Sequence, residues 1–269
     1  MSVKVLGFPW DEMSSYLRGP AEAPARIRAV MDSGSSNLCS EDGLDLSASQ
    51  DFEVLGDMPL EAGEQAVAQI EATIREFLGR GHRLLSLGGD HAVTYPILRA
   101  YGRKFPQLSI LHFDAHPDLY EEFEGNRLSH ACPFARIMEE GLVQRLVQVG
   151  IRTINAQQQA QIERYGVEVF EARHVERNMR IDFAGPVYLS FDLDGIDPAE
   201  APGVSHHEPG GISLRQALDI IQKIEAPLVG ADIVELNPRR DDHERTAAVA
   251  VKLLKEIGAR MLATPQSKV

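Results

Sequence analysis

The chain has few cysteines, little positive charge and no long apolar run. Two cysteines among 269 residues allow at most one disulfide, and reduced thiols in a cytoplasmic protein are expected. No basic leader, cleavage-like signal or membrane-length apolar stretch is present, so neither export nor membrane insertion is expected. The formal net charge of −13 argues against nucleic acid or an anionic membrane as partner. It suits a small cationic substrate or metal ions.

Short apolar runs alternate with amphipathic segments along the chain. This alternation predicts an α/β fold, with a mainly parallel sheet between two layers of helices in a three-layer α/β/α arrangement. No repeat or linker divides the chain, so we expect a single domain over residues 1–269, with 33–50 as a surface connection. The predicted strands are 3–8, 82–87, 107–114, 142–151, 167–170, 185–194 and 228–236. The predicted helices are 25–33, 61–80, 94–105, 155–165, 213–224 and 242–263.

Acidic and imidazole side chains stand at the ends of four predicted strands. GGDH follows one, DAHPD (114–118) a second and DLD (192–194) a third, and Glu235 ends the fourth. In parallel sheets, ligands bind beyond the carboxyl ends of the strands, so these side chains are expected to converge. The predicted metal ligands are His91, Asp114, His116, Asp118, Asp192 and Asp194.

The residue types in this set favour a pair of divalent ions. Asp114, His116 and Asp118 alternate, so on an extended segment they would share one side and face one centre. Mixed carboxylate and imidazole ligands suit Mn²⁺, with Fe²⁺, Co²⁺, Ni²⁺ and Zn²⁺ as alternatives, and the lack of thiolates disfavours structural zinc. Four aspartates carry about −4, which two divalent ions would balance. Such a pair can acidify a bridging water to hydroxide at neutral pH.

Three longer motifs carry a family resemblance: GGDHAVTYP (88–96), FDAHPDLY (113–120) and SFDLDGIDPAEAPG (190–203). At these residues the chain resembles the ureohydrolase family of arginases, agmatinases, guanidinobutyrases and formimidoylglutamases. Segments 118–141 and 201–211 look closest to plant-type arginases and their bacterial agmatinase-like relatives. The resemblance implies an arginase-like fold, two Mn²⁺ per chain and a homo-oligomer, commonly a trimer or hexamer.

The resemblance also implies roles for individual residues. One manganese would be held by His91, Asp114, Asp118 and Asp192, and the other by His116, Asp114, Asp192 and Asp194, with Asp114 and Asp192 bridging. Glu235 would face the substrate guanidinium, and His130, in a His-Ala pair where many members have His-Gly, would shuttle protons. Asp118 is a plausible acceptor that orients the hydroxide. The predicted substrate-binding residues are Asn126, Ser129, Asn155, His206 and Glu235.

The far end of the substrate is less clearly specified. Asn126, Arg127 and Ser129 could donate to the carboxylate of arginine, whereas the acidic run 121–124 would favour the cationic agmatine. The loop resemblance favours arginine, which would be hydrolysed to ornithine and urea. Agmatinase or another guanidino hydrolase remains an alternative. An amide or formimino hydrolase on the same fold, and a non-catalytic binding protein, are the competing classes.

Overall fold

The fold is organised around one eight-stranded sheet. A computed structural model describes residues 2–264. Every neighbouring pair of strands is parallel, in the order β2-β1-β3-β8-β7-β4-β5-β6. The strands are β1 (Val3–Phe8), β2 (Phe52–Asp57), β3 (Arg83–Gly88), β4 (Ser109–Phe113), β5 (Arg145–Ile151), β6 (Glu168–Glu171), β7 (Val187–Asp192) and β8 (Leu228–Val234).

Helices cover both faces of the sheet and bury a separate apolar core on each. The helices α1, α6 and α7 pack on one face, and α2 to α5 pack on the other. Strand residues alternate between the two cores, as in Leu84 and Leu85 of β3. The helices are α1 (Ala23–Asp32), α2 (Glu64–Gly79), α3 (Thr94–Lys104), α4 (Pro133–Glu139), α5 (Ala156–Tyr165), α6 (Leu214–Gln222) and α7 (Arg245–Ala263).

The three-layer α/β/α prediction is confirmed, and each predicted helix and strand has an observed counterpart. Two elements were not predicted. The edge strand β2 buries little of its length, so its apolar pattern is weak, and α4 has only seven residues. The last helix begins at Arg245, later than the predicted 242, because His243 and Glu244 adopt left-handed backbone angles. Within residues 2–264, no helix combines the length and apolarity that a membrane crossing requires.

The strand order determines where the motifs meet. The strands β3, β8, β7 and β4 are adjacent in the sheet. Because all run in the same direction, their carboxyl ends share one edge. The segments that follow them begin at Gly89, Asp114, Leu193 and Glu235. The four strand ends that carry the motifs are therefore adjacent in the structure, as predicted.

Candidate metal centre

The structure brings the six predicted metal ligands into one cluster at this edge. His91 lies in the first turn after β3, with Asp90 as the cap of that turn. Asp114 directly follows β4, whereas Asp192 ends β7 and Asp194 lies in the turn after it. Short interatomic distances connect all six side chains. The predicted convergence is therefore present.

One half of the cluster surrounds His91. The Nδ1 atom of His91 lies 3.2 Å from Asp114 Oδ2, 3.1 Å from Asp118 Oδ2 and 3.2 Å from Asp192 Oδ2. His91 and Asp114 are fully buried. We call these four side chains, with Asp114 contributing Oδ2, the His91 half of the centre.

The other half surrounds His116, which is partly exposed. Its Nδ1 atom lies 3.1 Å from Asp194 Oδ2 and 3.4 Å from Asp114 Oδ1. We call His116, Asp194 and Asp114 Oδ1 the His116 half. Asp114 thus offers one oxygen to each half, as a bridging ligand would. Asp192 offers Oδ2 to the His91 half, while its Oδ1 accepts the backbone N–H of Asp194 at 2.8 Å.

The expectation that Asp114, His116 and Asp118 face one centre from an extended segment is wrong. Strand β4 ends at Phe113, and the DAHPD segment turns beyond it. Asp118 has a φ of 50°, in the left-handed region. As a result His116 reaches Asp194 while Asp118 reaches His91, so the motif divides its ligands between the two halves.

The hydrogen bonds of His91 test whether this cluster fits a cation. Ser190 Oγ donates to Asp232 Oδ1 at 2.7 Å, so the 3.0 Å contact from His91 Nε2 must be an N–H donated to Ser190. In the neutral imidazole this leaves a lone pair on Nδ1, which has no hydrogen-bond partner among the described residues. Without a metal ion, the three carboxylates outweigh burial and raise the pKa of His91, which favours a proton at the same position. A buried lone pair facing three carboxylate oxygens is repulsive unless a cation lies between them. The donor set therefore fits a divalent metal ion.

A buried polar row supports the centre from below. Residues in register across five adjacent strands are Ser86, Asp232, Ser190, His112 and Gln148, all fully buried. Asp232 also accepts hydrogen bonds from the Thr94 and Tyr188 hydroxyls. Sequence reasoning missed Asp232 and Ser190. The alternation of residues along a strand does not show which buried polar side chains will contact a metal ligand.

His112 belongs to this row and lies beside the metal ligand Asp114. Gln148 Nε2 lies 2.7 Å from the Pro117 carbonyl and 3.1 Å from His112 Nδ1, so it donates to both. His112 therefore carries its proton on Nε2 and donates it to Asp114 Oδ2 at 2.8 Å. Burial lowers the pKa of His112 to about 4, which keeps it neutral. It orients Asp114 and leaves no lone pair for an ion.

His130 and Glu235 form a buried pair beside the His91 half. His130 Nδ1 lies 2.8 Å from Glu235 Oε1, which also accepts the backbone N–H of His91 at 2.9 Å. Burial alone would lower the pKa of His130, but the charge and hydrogen bond of Glu235, together with the charges of Asp90 and Asp118, outweigh burial and raise that pKa to about 9. Burial likewise opposes the charge on Glu235, but His130 holds the pKa of Glu235 below its usual value. The pair is a charged donor and acceptor at neutral pH.

A cavity of about 210 Å³ opens onto the centre. His116, Asp118 and His130 lie on its wall, and no arginine or lysine of residues 2–264 does. The rest of the wall is neutral, including His206, because burial lowers the pKa of its imidazole. Glu235 is 4% exposed and lies behind His130, outside the cavity wall. The remaining wall residues are Ser15, Tyr120, Phe123, Ala131, Thr153, Asn155 and Gln158.

The predicted substrate-binding residues divide into two groups. Asn155 and His206 line the cavity, whereas Asn126, Ser129 and Glu235 do not. The Asn126 amide instead contacts the Met13 sulfur and the Leu128 N–H, which stabilises the loop. The neighbouring Arg127 pairs with Glu139 at 2.8 Å. None of the acidic side chains of 121–124 lines the cavity either.

Asn155 has two structural contacts at the cavity wall. Its Oδ1 caps α5 by accepting the Gln158 N–H at 3.0 Å, and its Nδ2 donates to the Tyr120 hydroxyl at 2.7 Å. The Tyr120 proton is then free to point into the cavity. Sequence reasoning missed Tyr120, and it missed Ser15, whose hydroxyl lies 2.8 Å from His130 Nε2. Ser15 lies on the segment before α1, far in sequence from the three metal-binding motifs.

Comparison with known proteins agrees with this geometry. The "Arginase family" model matches residues 1–259. A mitochondrial arginase of Medicago truncatula is 43% identical, covering 96% of this chain and 81% of that protein. An agmatinase of Bacillus anthracis is 34% identical, covering 95% and 90%. The solved Medicago truncatula arginase structure superposes with a TM-score of 0.91 at 42% identity, covering 97% of this chain and 87% of that one.

The chain therefore belongs to the arginase family, whose members are metal-dependent hydrolases acting on guanidino substrates. Both the ureohydrolase resemblance and the arginase-like fold are confirmed.

Proposed function

We propose that this protein is an arginase, which hydrolyses arginine to ornithine and urea with two Mn²⁺ ions in a single domain. One observation carries the proposal. The two carboxylate oxygens of Asp114 face different halves of a buried centre, and a cavity opens onto that centre. The full set of oxygen and imidazole donors supports manganese over softer metals. Bound ions of this kind would supply a water acidified toward neutral pH.

The chain's own residues would position and protonate the reactants. Asp118 is the acceptor that orients the attacking water above the guanidinium carbon. Glu235 lies outside the cavity wall and pairs with His130, so it would act on the substrate through His130, whose imidazolium it keeps charged. The water, after losing one proton, bonds through its oxygen to that carbon, and its second proton passes by way of Asp118 to the alkyl nitrogen as the bond between that nitrogen and the carbon breaks. His130 donates the further proton with which the amine leaves as a cation, and it regains a proton from the next water that is bound. A His130 pKa of about 9 keeps the proton available at neutral pH.

The outer cavity supports arginine over agmatine. A free carboxylate needs donors, and the hydroxyls of Tyr120 and Thr153 and the ring of His206 lie on the wall. The acidic side chains that would repel it lie elsewhere. Plant arginases are also more similar in sequence, at 40–43% identity, than the agmatinases at 34%.

Urea release from a guanidino panel tests the substrate. On manganese-loaded protein we expect kcat/KM for arginine to exceed that for agmatine by at least about tenfold, because agmatine would leave the carboxylate donors unpaired. Guanidinobutyrate has a carboxylate but no α-amino group, and guanidine has neither, so the two compounds show how much the carboxylate contributes to turnover. Faster turnover of agmatine would assign the agmatinase alternative. A protein holding two manganese equivalents that releases urea from none of the four would contradict the proposal.

Asn155→Ser tests the far end of the cavity. Serine keeps the cap on α5 but loses the donor to Tyr120. We expect KM for arginine to rise about 2- to 10-fold, the value of one hydrogen bond, with kcat nearly unchanged. Asn126→Ser is the matched control on a loop outside the cavity. If KM rises in Asn126→Ser and not in Asn155→Ser, Asn126 rather than Asn155 contributes to substrate binding.

The assembly, the partners and the location are also proposals. We propose a cytoplasmic homo-oligomer, a trimer or hexamer, that binds neither nucleic acid nor membranes. The unpaired thiols of Cys39 and Cys132 support a reducing compartment. Light scattering on the metal-loaded protein distinguishes monomer, trimer and hexamer.

A further inference from the structure

Arg152 makes an unusual set of contacts directly after β5. Its guanidinium donates to four backbone carbonyls: Asp194 at 2.6 Å, Glu208 at 2.6 Å, and Gly150 and Gly195 at 3.1 Å each. Its own backbone N–H donates to the Ala115 carbonyl at 2.9 Å. None of these acceptors is a carboxylate, so the side chain orders backbone rather than balancing a charged partner.

The acceptors belong to three different parts of the candidate site. Ala115 lies in the DAHPD segment, between Asp114 and His116. Asp194 and Gly195 form the turn after β7 that supplies a ligand of the His116 half. Glu208 follows His206 on the loop at the cavity wall. The Arg152 side chain, outside every metal motif, therefore fastens two of these segments, the Asp194 turn and the Glu208 loop, and its backbone N–H fastens the third.

The turn that Arg152 holds has little freedom of its own. Gly195 packs so closely against Asp114 that a Cβ on it would lie 2.8 Å from the Asp114 nitrogen. The Asp194 carboxylate is fixed from the opposite side, because Oδ1 accepts the Ala115 N–H at 3.1 Å. The planar fork of a guanidinium can hold several carbonyls at fixed angles, which a lysine ammonium cannot. Without the guanidinium, the backbone carbonyls of Asp194 and Gly195 would lose the donors that hold this turn in place.

The His91 half is anchored in a different way. His91 is held by Ser190 and Asp232 of the buried polar row, and Arg152 touches neither residue. The two halves thus have separate supports on opposite sides of Asp114.

We propose that Arg152 is a positioning residue that sets the affinity of the His116 half for its metal ion and leaves the His91 half largely unaffected. This inference rests on the proposed two-ion function. Outer supports of metal ligands typically change metal affinity by about 10- to 100-fold. The guanidinium acts through the Asp194 turn and touches neither ion nor substrate.

Calorimetric titration of Mn²⁺ into metal-free protein tests the inference. In Arg152→Met we expect one equivalent to bind with nearly the native Kd and the other to weaken about 10- to 100-fold. Arg152→Lys keeps the charge and should behave similarly, because the fork is what is lost. Arg145→Met is the matched control: it removes another β5 arginine, which pairs with Glu168 at the far end of the strand. It should bind both equivalents normally.

Double variants identify the weakened half. His116→Asn added to Arg152→Met should cost little further affinity, whereas His91→Asn added to it should remove the remaining equivalent. Equal weakening of both equivalents, unchanged binding, or the same loss in Arg145→Met would overturn the inference. Near-UV circular dichroism shows which variants are folded. If Arg152→Met does not fold, the Mn²⁺ titration of Arg152→Lys tests the inference in its place. Native protein that fails to bind two equivalents would refute the proposed function instead.

Discussion

Asp114→Asn is expected to abolish urea release and to weaken both manganese equivalents. The amide is nearly isosteric, but it cannot supply two anionic oxygens to two ions. Both Asp114 oxygens also accept N–H groups, from His112 and from the His116 backbone, and an amide nitrogen would face one of these donors. We expect a loss of at least about 1,000-fold in kcat/KM, because metal activation is worth several kcal/mol and each 1.4 kcal/mol is tenfold.

Metal content and turnover are measured together in this experiment. Asp241→Asn is a suitable control, since it removes the same charge from a carboxylate that caps the start of α7 instead. It should keep two manganese equivalents and most of the activity. If Asp114→Asn keeps both equivalents and normal turnover, Asp114 does not bridge the two halves.

Glu235→Gln is expected to lower kcat by about 100- to 10,000-fold at slightly alkaline pH, the usual value of a positioned proton donor. In the native protein the Glu235 charge is the main influence raising the pKa of His130 to about 9, so the imidazole keeps its proton until the pH passes that value. Glutamine removes this influence but not the burial, which lowers the pKa. The protonated fraction is therefore lost at lower pH.

The sign of this effect gives a specific test. The alkaline limb of the kcat–pH profile should move to lower pH in Glu235→Gln, and the deficit should shrink as the solution is acidified. Asp90 and Asp118 also favour the His130 cation, so the shift is partial. Glu235→Asp, which keeps the charge, should retain more of the native profile. A limb that does not move in Glu235→Gln would show that His130 is not the group that limits turnover at alkaline pH.

Much of the fold followed from local patterns. The buried strands are continuous apolar runs, and the helices have apolar positions at helical spacing, so both are recognisable without tertiary information. Ser213, the first residue of the predicted helix 213–224, caps α6 and forms a capping box with Gln216. The edge strand β2 and the short helix α4 were not predicted, because neither carries enough apolar residues at regular spacing.

The sequence by itself determined the chemistry available at the site. Six ligands of the right type stand just beyond strands that must be parallel, and parallel strands bring their carboxyl ends to one edge. Residue identity and spacing were sufficient for that conclusion, because ligand preference is a property of the side chains.

Only the tertiary structure showed how the division of those ligands that the family resemblance implies is produced and supported. The left-handed backbone at Asp118 sends it to His91 while His116 turns to Asp194. The contacts of His91 with Ser190, of Asp114 with His112 and of the Asp194 turn with Arg152 join residues from different strands. Such contacts depend on strand order, register and loop direction. These arise from packing over the whole sheet, and no local spacing encodes them.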